Sequence, residues 1–315
     1  MGRSLSLVSR YIHDTSSPVR YQSVAVCGPH QTIALASLLE NTPPDKRSIC
    51  DLAISIDLRY SSAKEEACTQ KIEGEEMADV IRKKAEAQFY ESARRLEKQA
   101  ADAFLRILDL VSPSIQTLSI SFRDMAIPVS SSAVSLPGLR ELTLAYGDCL
   151  AGRDRVSDCA LSSLEPLSSL RRLNIQLSDV TCTPLELIGH IAKFAPNITH
   201  VRLPVIHGSW EQVLDPNEPH PDGGEKPLLP RTIEVILVQP RLPSGYMSGN
   251  GWSSYKRGLD QYRSLAMKDN RVIVLQPATW EGENFSDEGG LGAQWLDRLN
   301  GGMGCWKTDR QLLWT

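Results

Sequence analysis

One short phrase returns along the chain and limits what it can fold into. Ile115-Gln-Thr-Leu118-Ser-Ile120 comes back as Leu139-Arg-Glu-Leu142-Thr-Leu144, as Leu170-Arg-Arg-Leu173-Asn-Ile175 and as Ile198-Thr-His-Val201-Arg-Leu203. Ile49-Cys-Asp-Leu52-Ala-Ile54 is an earlier copy. Apolar side chains hold the first, fourth and sixth places each time. One strand with that pattern cannot bury its own apolar face, whereas a stack of them can. The central apolar residues Leu118, Leu142, Leu173, Val201 and Val235 stand 24, 31, 28 and 34 residues apart. Those intervals hold a strand, a return segment and loops of uneven length. Strands alternating with helical return segments predict right-handed crossovers and a parallel sheet.

Between the copies the pattern changes period. Tyr21-Gln-Ser-Val24-Ala-Val26 alternates as a strand does, and 31–39 reads as a short amphipathic helix that Thr42-Pro43-Pro44-Asp45 stops. Residues 61–111 hold no proline, one glycine and charges of both signs. Met77, Ile81, Ala85, Phe89, Leu96, Ala100, Phe104, Ile107 and Val111 mostly recur at three- to four-residue steps, a helix period. Glu91 with Arg95, and Asp102 with Arg106, predict ion pairs one turn apart. The segment reads as one long helix or a hairpin of two, packed over the stack or offered to a partner. Residues 183–194 look helical, with proline in the first turn after Thr183. Residues 214–231 form a proline-rich loop, 255–267 a helix and 271–275 a last strand. All six tryptophans fall from Trp210 onward, at 210, 252, 280, 295, 306 and 314. They are expected to seal the open end of the stack, which needs a cap; a tryptophan-lined ligand pocket is the competing reading.

Composition narrows the function classes. Hydrophobic residues make up 41% and charged residues 23%, values of a soluble globular chain rather than a disordered one. A net charge of −4 supplies no positive field for nucleic acid. No apolar run reaches the ~18 residues of a membrane-spanning helix. The first residues, Met1-Gly-Arg-Ser-Leu-Ser-Leu-Val, lack the long apolar core of a signal peptide. Seven dispersed cysteines without a C-x-x-C pair suit reduced thiols, so a cytoplasmic or nuclear location is expected.

The chain offers little recognisable chemistry. No His-Glu-x-x-His or cysteine–histidine cluster has metal spacing. His200, His207 and Glu211 lie near one strand end and read as a solvated edge before they read as a metal site. Gly245-Tyr-Met-Ser248-Gly-Asn-Gly251 puts its serine at the wrong offset for a nucleophile elbow. Gly289-Gly-Leu-Gly292 and Gly301-Gly-Met-Gly304 do not follow the first strand of a β-α-β unit, so nucleotide binding is not predicted. No catalytic residue, metal ligand or cofactor is assigned.

Leu5-Ser-Leu7-Val8-Ser9-Arg10-Tyr11-Ile12, followed by Pro18-Val-Arg-Tyr21-Gln-Ser-Val24, resembles the last helix of an F-box and its exit into a first repeat strand. Ala195-Pro-Asn-Ile198-Thr-His-Val201-Arg-Leu203 and Asp269-Asn-Arg-Val272-Ile-Val274-Leu275 are similar to the degenerate leucine-rich repeats of fungal F-box proteins. The Leu-Pro-x-Glu helix start of an F-box is not in the sequence, so the likeness is to an N-terminally truncated module. The resemblance implies an α/β fold, an irregular leucine-rich-repeat-like solenoid with a parallel sheet and a long helical insert. Its parts would be the F-box remnant at 1–20, first solenoid strands at 21–60, the charged insert at 61–114, degenerate repeats at 115–240 and a Trp-rich cap at 241–315.

The function this implies is a protein-interaction scaffold, in the family a substrate-recognition subunit of a cullin–RING ubiquitin ligase. Leu7, Val8 and Ile12 would touch a Skp-type adaptor. Polar residues between the apolar strand positions would line a concave face for a protein partner: Gln116, Ser119, Arg140, Thr143, Arg171, Asn174, His200 and Arg202. An α/β enzyme with its site among the loops near the Trp-rich end, and a non-functional paralogue, are the alternatives. Membrane and nucleic-acid partners are not expected.

Overall fold

The computed structural model describes residues 22–57, 75–123, 134–146, 165–177, 191–204, 230–240, 249–277 and 291–308. Each apolar copy of the phrase forms a strand. They are β1 (Ser23–Cys27), β2 (Asp51–Asp57), β3 (Thr117–Arg123), β4 (Glu141–Tyr146), β5 (Arg172–Leu177), β6 (His200–Pro204), β7 (Val235–Gln239) and β8 (Val272–Val274). They make one eight-stranded sheet in strict chain order, every pairing parallel. The α/β class and the parallel sheet expected from the sequence are therefore present.

The register shows how the phrase works. Val24, Leu52, Leu118, Leu142, Leu173, Val201, Ile236 and Val272 pair in one row across the sheet. Ile54, Ile120, Leu144, Ile175, Leu203, Val238 and Val274 extend the same face two residues further on, and all are buried. Side chains alternate along a strand, so this set is the helix-facing side of the sheet. The apolar residue that opens each copy is buried ahead of its strand: Ile49, Ile115, Leu139, Leu170, Ile198 and Ile233.

A repeated turn delivers the chain to each strand. The amides of Leu139, Leu170, Ile198 and Ile233 donate to the carbonyls of Leu136, Leu167, Ala195 and Pro230, three residues back. The next residue then presents a carbonyl that accepts two amides of the following strand. Gln116 O takes the amides of Arg140 and Glu141, Arg140 O those of Arg171 and Arg172, and Arg171 O those of Thr199 and His200. Backbone groups at the strand starts are thereby satisfied without side chains, which frees those positions to vary.

One marker is corrected by the register. The partner of Val201 is Ile236, not Val235, so the last interval is one residue longer than the phrase suggested. Val235-Ile-Leu-Val238 is apolar without alternation, and such a run marks a strand covered on both faces.

Helices cover the apolar side. α1 (Pro29–Glu40) starts at Pro29, whose fixed φ suits the first helical position, after Gly28 at φ 85°. Thr32, Leu35, Ala36 and Leu39 form its buried stripe. The described residues of the charged insert form one helix, α2 (Glu75–Val111), of 37 residues and so about 55 Å long. Its C-terminal third packs into the core through Ala100, Ala103, Phe104, Ile107, Leu108 and Val111, while Leu96 is half-buried. The side chains of Met77, Ile81, Ala85 and Phe89 lie outside the described residues. Of the two expected ion pairs, Glu91–Arg95 forms on the exposed surface. Arg106 instead reaches across to Glu40 of α1 at 2.8 Å. Ser114 closes the exit of α2, donating to Ile49 O at 2.9 Å.

The tail divides in two. α3 (Gly249–Lys268) adds Tyr262 and Leu265 to the core on the helix side. α4 (Leu291–Leu299) and a 3-10 turn (Gly304–Trp306) lie on the other side of the sheet. Two of the tryptophans expected to seal the end of the stack, Trp295 and Trp306, belong to this cover over a face. Trp295 and Trp306 are buried beneath it, Trp252 is exposed, and Trp210, Trp280 and Trp314 lie outside the described residues. No helix among the described residues is long and apolar enough to cross a membrane.

Candidate functional site: the polar face and the segment that covers it

The side chains between the apolar ones form two polar rows. Asp51, Thr117, Glu141, Arg172 and His200 stand in register in the first. Ser119, Thr143, Asn174 and Arg202 make the second, continued by Leu237 of β7. Four of the residues expected to offer an exposed stripe, Ser119, Thr143, Asn174 and Arg202, are buried. His200 is half-buried. The local pattern placed them on the right face, but a segment more than a hundred residues further along the chain covers them.

Gln116, Arg140 and Arg171 are exposed, and they do not belong to this face. They precede their strands and stand out of phase with Thr117, Glu141 and Arg172. Their role is at the rim, where their carbonyls join the repeated turns. The Arg171 guanidinium stays there too, donating to Asn197 O at 2.9 Å and Ser168 O at 3.3 Å.

Glu141 is the centre of the covered face. It is only 5% exposed, and its two oxygens are taken by the tail. The Trp306 indole Nε1 donates to Oε1 at 3.0 Å, and Arg298 donates to Oε2 at 2.8 Å. Arg172, the neighbour of Glu141 on β5, stands 3.7 Å from Oε2. Its guanidinium carbon also lies 6.0 Å from the Trp306 ring centroid, within reach of a cation–π contact. The His200 ring meets Trp306 edge-on, centroids 6.1 Å apart. Burial first, and then the Arg172 charge, push the His200 pKa below its usual value, against a smaller opposing pull from Glu234. A neutral imidazole suits a position beside an indole and a guanidinium.

Arg202 fixes the other end of the cover by donating to Cys305 O and to the Gln239 amide oxygen. There the contact turns apolar. Leu237, Leu275, Cys305 and Trp306 form a small buried cluster, flanked by Val235 and Ile273. This cluster explains the continuous apolar run of β7. The Cys305 thiol is buried, and burial pushes its pKa up to about 11. It stays protonated near neutrality and is a poor nucleophile.

The glycines of the tail make the cover possible. Gly301-Gly-Met-Gly304, weighed above as a nucleotide loop, is the turn between α4 and the 3-10 turn. Gly301 and Gly304 have φ of 82° and 58°, where side chains are strained. A Cβ on Gly302 would meet the Asp297 carboxylate oxygen at 2.3 Å. That carboxylate takes the Gly304 amide at 2.7 Å and the Lys307 ammonium at 2.8 Å. Those two hydrogen bonds, Lys307 first, hold the Asp297 pKa below the usual carboxylate value. Asp297 thereby ties α4 and the 3-10 turn into one piece.

A cavity of about 20 Å³ remains under α4, room for about one water. Thr117, Ser119, Glu141 and Thr143 line it from the sheet, and Gln294, Trp295, Arg298 and Cys305 from the tail. Nearby, Asn174 is fully buried with neither side-chain polar atom hydrogen-bonded to protein. Such a set of donors and acceptors can hold a polar or cationic group. Among the described residues no group of three His, Cys, Asp or Glu is placed to hold a metal.

Leu7, Val8 and Ile12 lie outside the described residues, as do His207 and Glu211. Arg298 and Trp306, which grip Glu141, carry no local signal of that role. The two-sided apolar run at β7 is the sequence feature that points to a cover. Comparison of the chain with models of protein families, with curated proteins and with solved structures gives no match.

Proposed function

We propose that this chain is a protein-interaction scaffold, an irregular leucine-rich-repeat-like solenoid whose exposed rim receives a protein partner. The supporting observation is the strand order. Eight parallel strands follow one another in chain order, so each unit rests on its sequence neighbours and one face presents a continuous row of side chains. Stacks of that kind serve as extended binding surfaces. The exposed rim residues Gln116, Arg140 and Arg171 extend the surface at the strand starts. The test is quantitative affinity capture with wild-type full chain and with an Arg140→Glu, Arg171→Glu variant that melts normally. Partners lost selectively from the variant support the reading, and the same partners at the same yield on both chains count against a rim contact.

The finer form of this proposal, by resemblance, is a substrate receptor of a cullin–RING ubiquitin ligase, docked through Leu7, Val8 and Ile12. Co-elution of the purified chain with a Skp-type adaptor is the expected result. Folded chain that elutes apart from the adaptor removes this version and leaves the scaffold.

A further inference from the structure

We propose that the rim of the sheet at Arg140 and Arg171 docks an acidic segment of another protein, with a carboxylate seated on the two guanidiniums. The inference deepens the scaffold reading and rests on it, because it gives the partner a chemistry.

The ladder sets the two arginines side by side. The Arg171 amide donates to Arg140 O at 2.9 Å, at the start of the paired strands β4 and β5. Neighbouring strands lie about 4.8 Å apart, so the two residues are adjacent across the ladder. Both are exposed. Like charges set beside one another on a sheet oppose each other, and an anion placed over both relieves them. No acid of the row does so. Gln116 stands on the β3 side of the pair and Thr199 on the β6 side. Glu234 is two strands beyond Arg171, about 10 Å away, and its charge acts on His200.

The two side chains are differently prepared. The Arg140 guanidinium has no hydrogen bond or ion pair among the described residues. Arg171 is anchored through one nitrogen. Its Nη1 donates to Asn197 O at 2.9 Å, Ser168 O at 3.3 Å and Leu170 O at 3.4 Å. Its Nε and Nη2 have no partner among the described residues. Those two nitrogens form the side-on fork of a guanidinium, which matches the two oxygens of a carboxylate. A side chain already held in place loses less entropy when it binds. Arg231, exposed in the turn before β7, extends the positive edge. The net charge of the chain is −4, so no wide positive field draws a nucleic acid or an anionic membrane to this edge. A short run of aspartate or glutamate fits it better, with exposed Gln116 beside Arg140 to pair with the backbone of the segment.

The test is a titration of the full chain with a labelled peptide of about twelve residues alternating glutamate with serine, which in extended form puts its carboxylates on one side. The matching glutamine–serine peptide is the control. Wild type is expected to bind the glutamate peptide about tenfold tighter than the control, or more. Arg140→Gln, which removes a side chain without a partner in the fold, is expected to abolish most of that preference. Arg171→Lys, which keeps the charge and loses the fork, is expected to reduce it several-fold. Equal affinity of wild type for both peptides, or an unchanged preference in Arg140→Gln, overturns the proposal. Tighter binding of oligouridylate RNA or of phosphatidylserine vesicles than of the glutamate peptide also overturns it, and makes the edge a polyanion site. If Arg171→Lys does not fold, Arg140→Gln decides alone. Partners lost from the Arg140→Glu, Arg171→Glu chain without any preference for the glutamate peptide keep the rim scaffold and overturn the acidic partner. A glutamate preference without captured partners supports the carboxylate site and counts against the scaffold.

Discussion

At the scale of single residues, Glu141 and His200 carry the clearest consequences. Glu141 is buried, and its removal leaves the Trp306 indole and the Arg298 guanidinium without their acceptor. Hydrogen bonds to a charged group contribute about 1.5–3 kcal/mol, and the Arg298 guanidinium is partly exposed, so we expect Glu141→Ala to cost about 2 kcal/mol. Chemical denaturation followed by tryptophan fluorescence checks this, since Trp306 reports the site directly. His200 has a folded pKa below its unfolded value of about 6.5. The unfolded state then binds the proton more readily, so stability is full above about pH 6.5 and is lost as pH falls toward the folded pKa. His200→Gln is expected to flatten that part of the profile, and a denaturation midpoint still falling equally in the variant between pH 7 and 5.5 would assign the loss to other groups. The glycines of the tail are equally specific. Gly302→Ala would force a Cβ onto the Asp297 carboxylate, and Gly304→Ala would strain a positive φ. Both are expected to loosen the cover while leaving the sheet intact, seen as a red shift of tryptophan emission without loss of far-ultraviolet ellipticity.

At the scale of elements, the sheet has two different interfaces. The helix-facing rows are a continuous apolar layer in which Leu118, Leu142 and Leu173 are fully buried. Truncating one of them leaves a cavity between the sheet and its helices, and Leu142→Ala is expected to cost about 2–5 kcal/mol in global stability. The opposite interface is small and mostly polar, with Leu237 and Leu275 as its apolar anchor. Leu237→Ala is therefore expected to act locally, raising exchange of 291–308 more than that of β4, and a shift of both by the same factor would show that the cover and the sheet unfold together. α2 joins both aspects: its final turns are core, and the part from 91 to 99 stands mostly exposed.

At the scale of the whole molecule, strict chain order makes this a nearly one-dimensional object. Each strand contacts its sequence neighbours, and the end strands have a partner on one side only among the described residues. Opening should begin at the ends and reach the middle last. Amides of β3–β5 are expected to be the slowest to exchange, and β1 and β8 faster. Uniform protection across the sheet would instead indicate a single cooperative unit.

The repeating part of this architecture was legible because it is local. A strand period of two with apolar residues at fixed places dictates which face is buried, and Ile115, Leu118 and Ile120 and their equivalents announce it without any distant contact. The helix period of α2 was legible for the same reason. What could not be read was what lies against the second face. Ser119, Thr143, Asn174 and Arg202 look like solvent-facing residues in sequence, and only the return of a segment over a hundred residues distant buries them. The pairing of Glu141 with Arg298 and Trp306 spans 157 and 165 residues and leaves no periodic trace. Sequence alone determined the strands, their helix-facing side and the parallel order. Tertiary structure decided that the other face is covered, because burial of a polar row depends on a partner surface that local patterning does not encode.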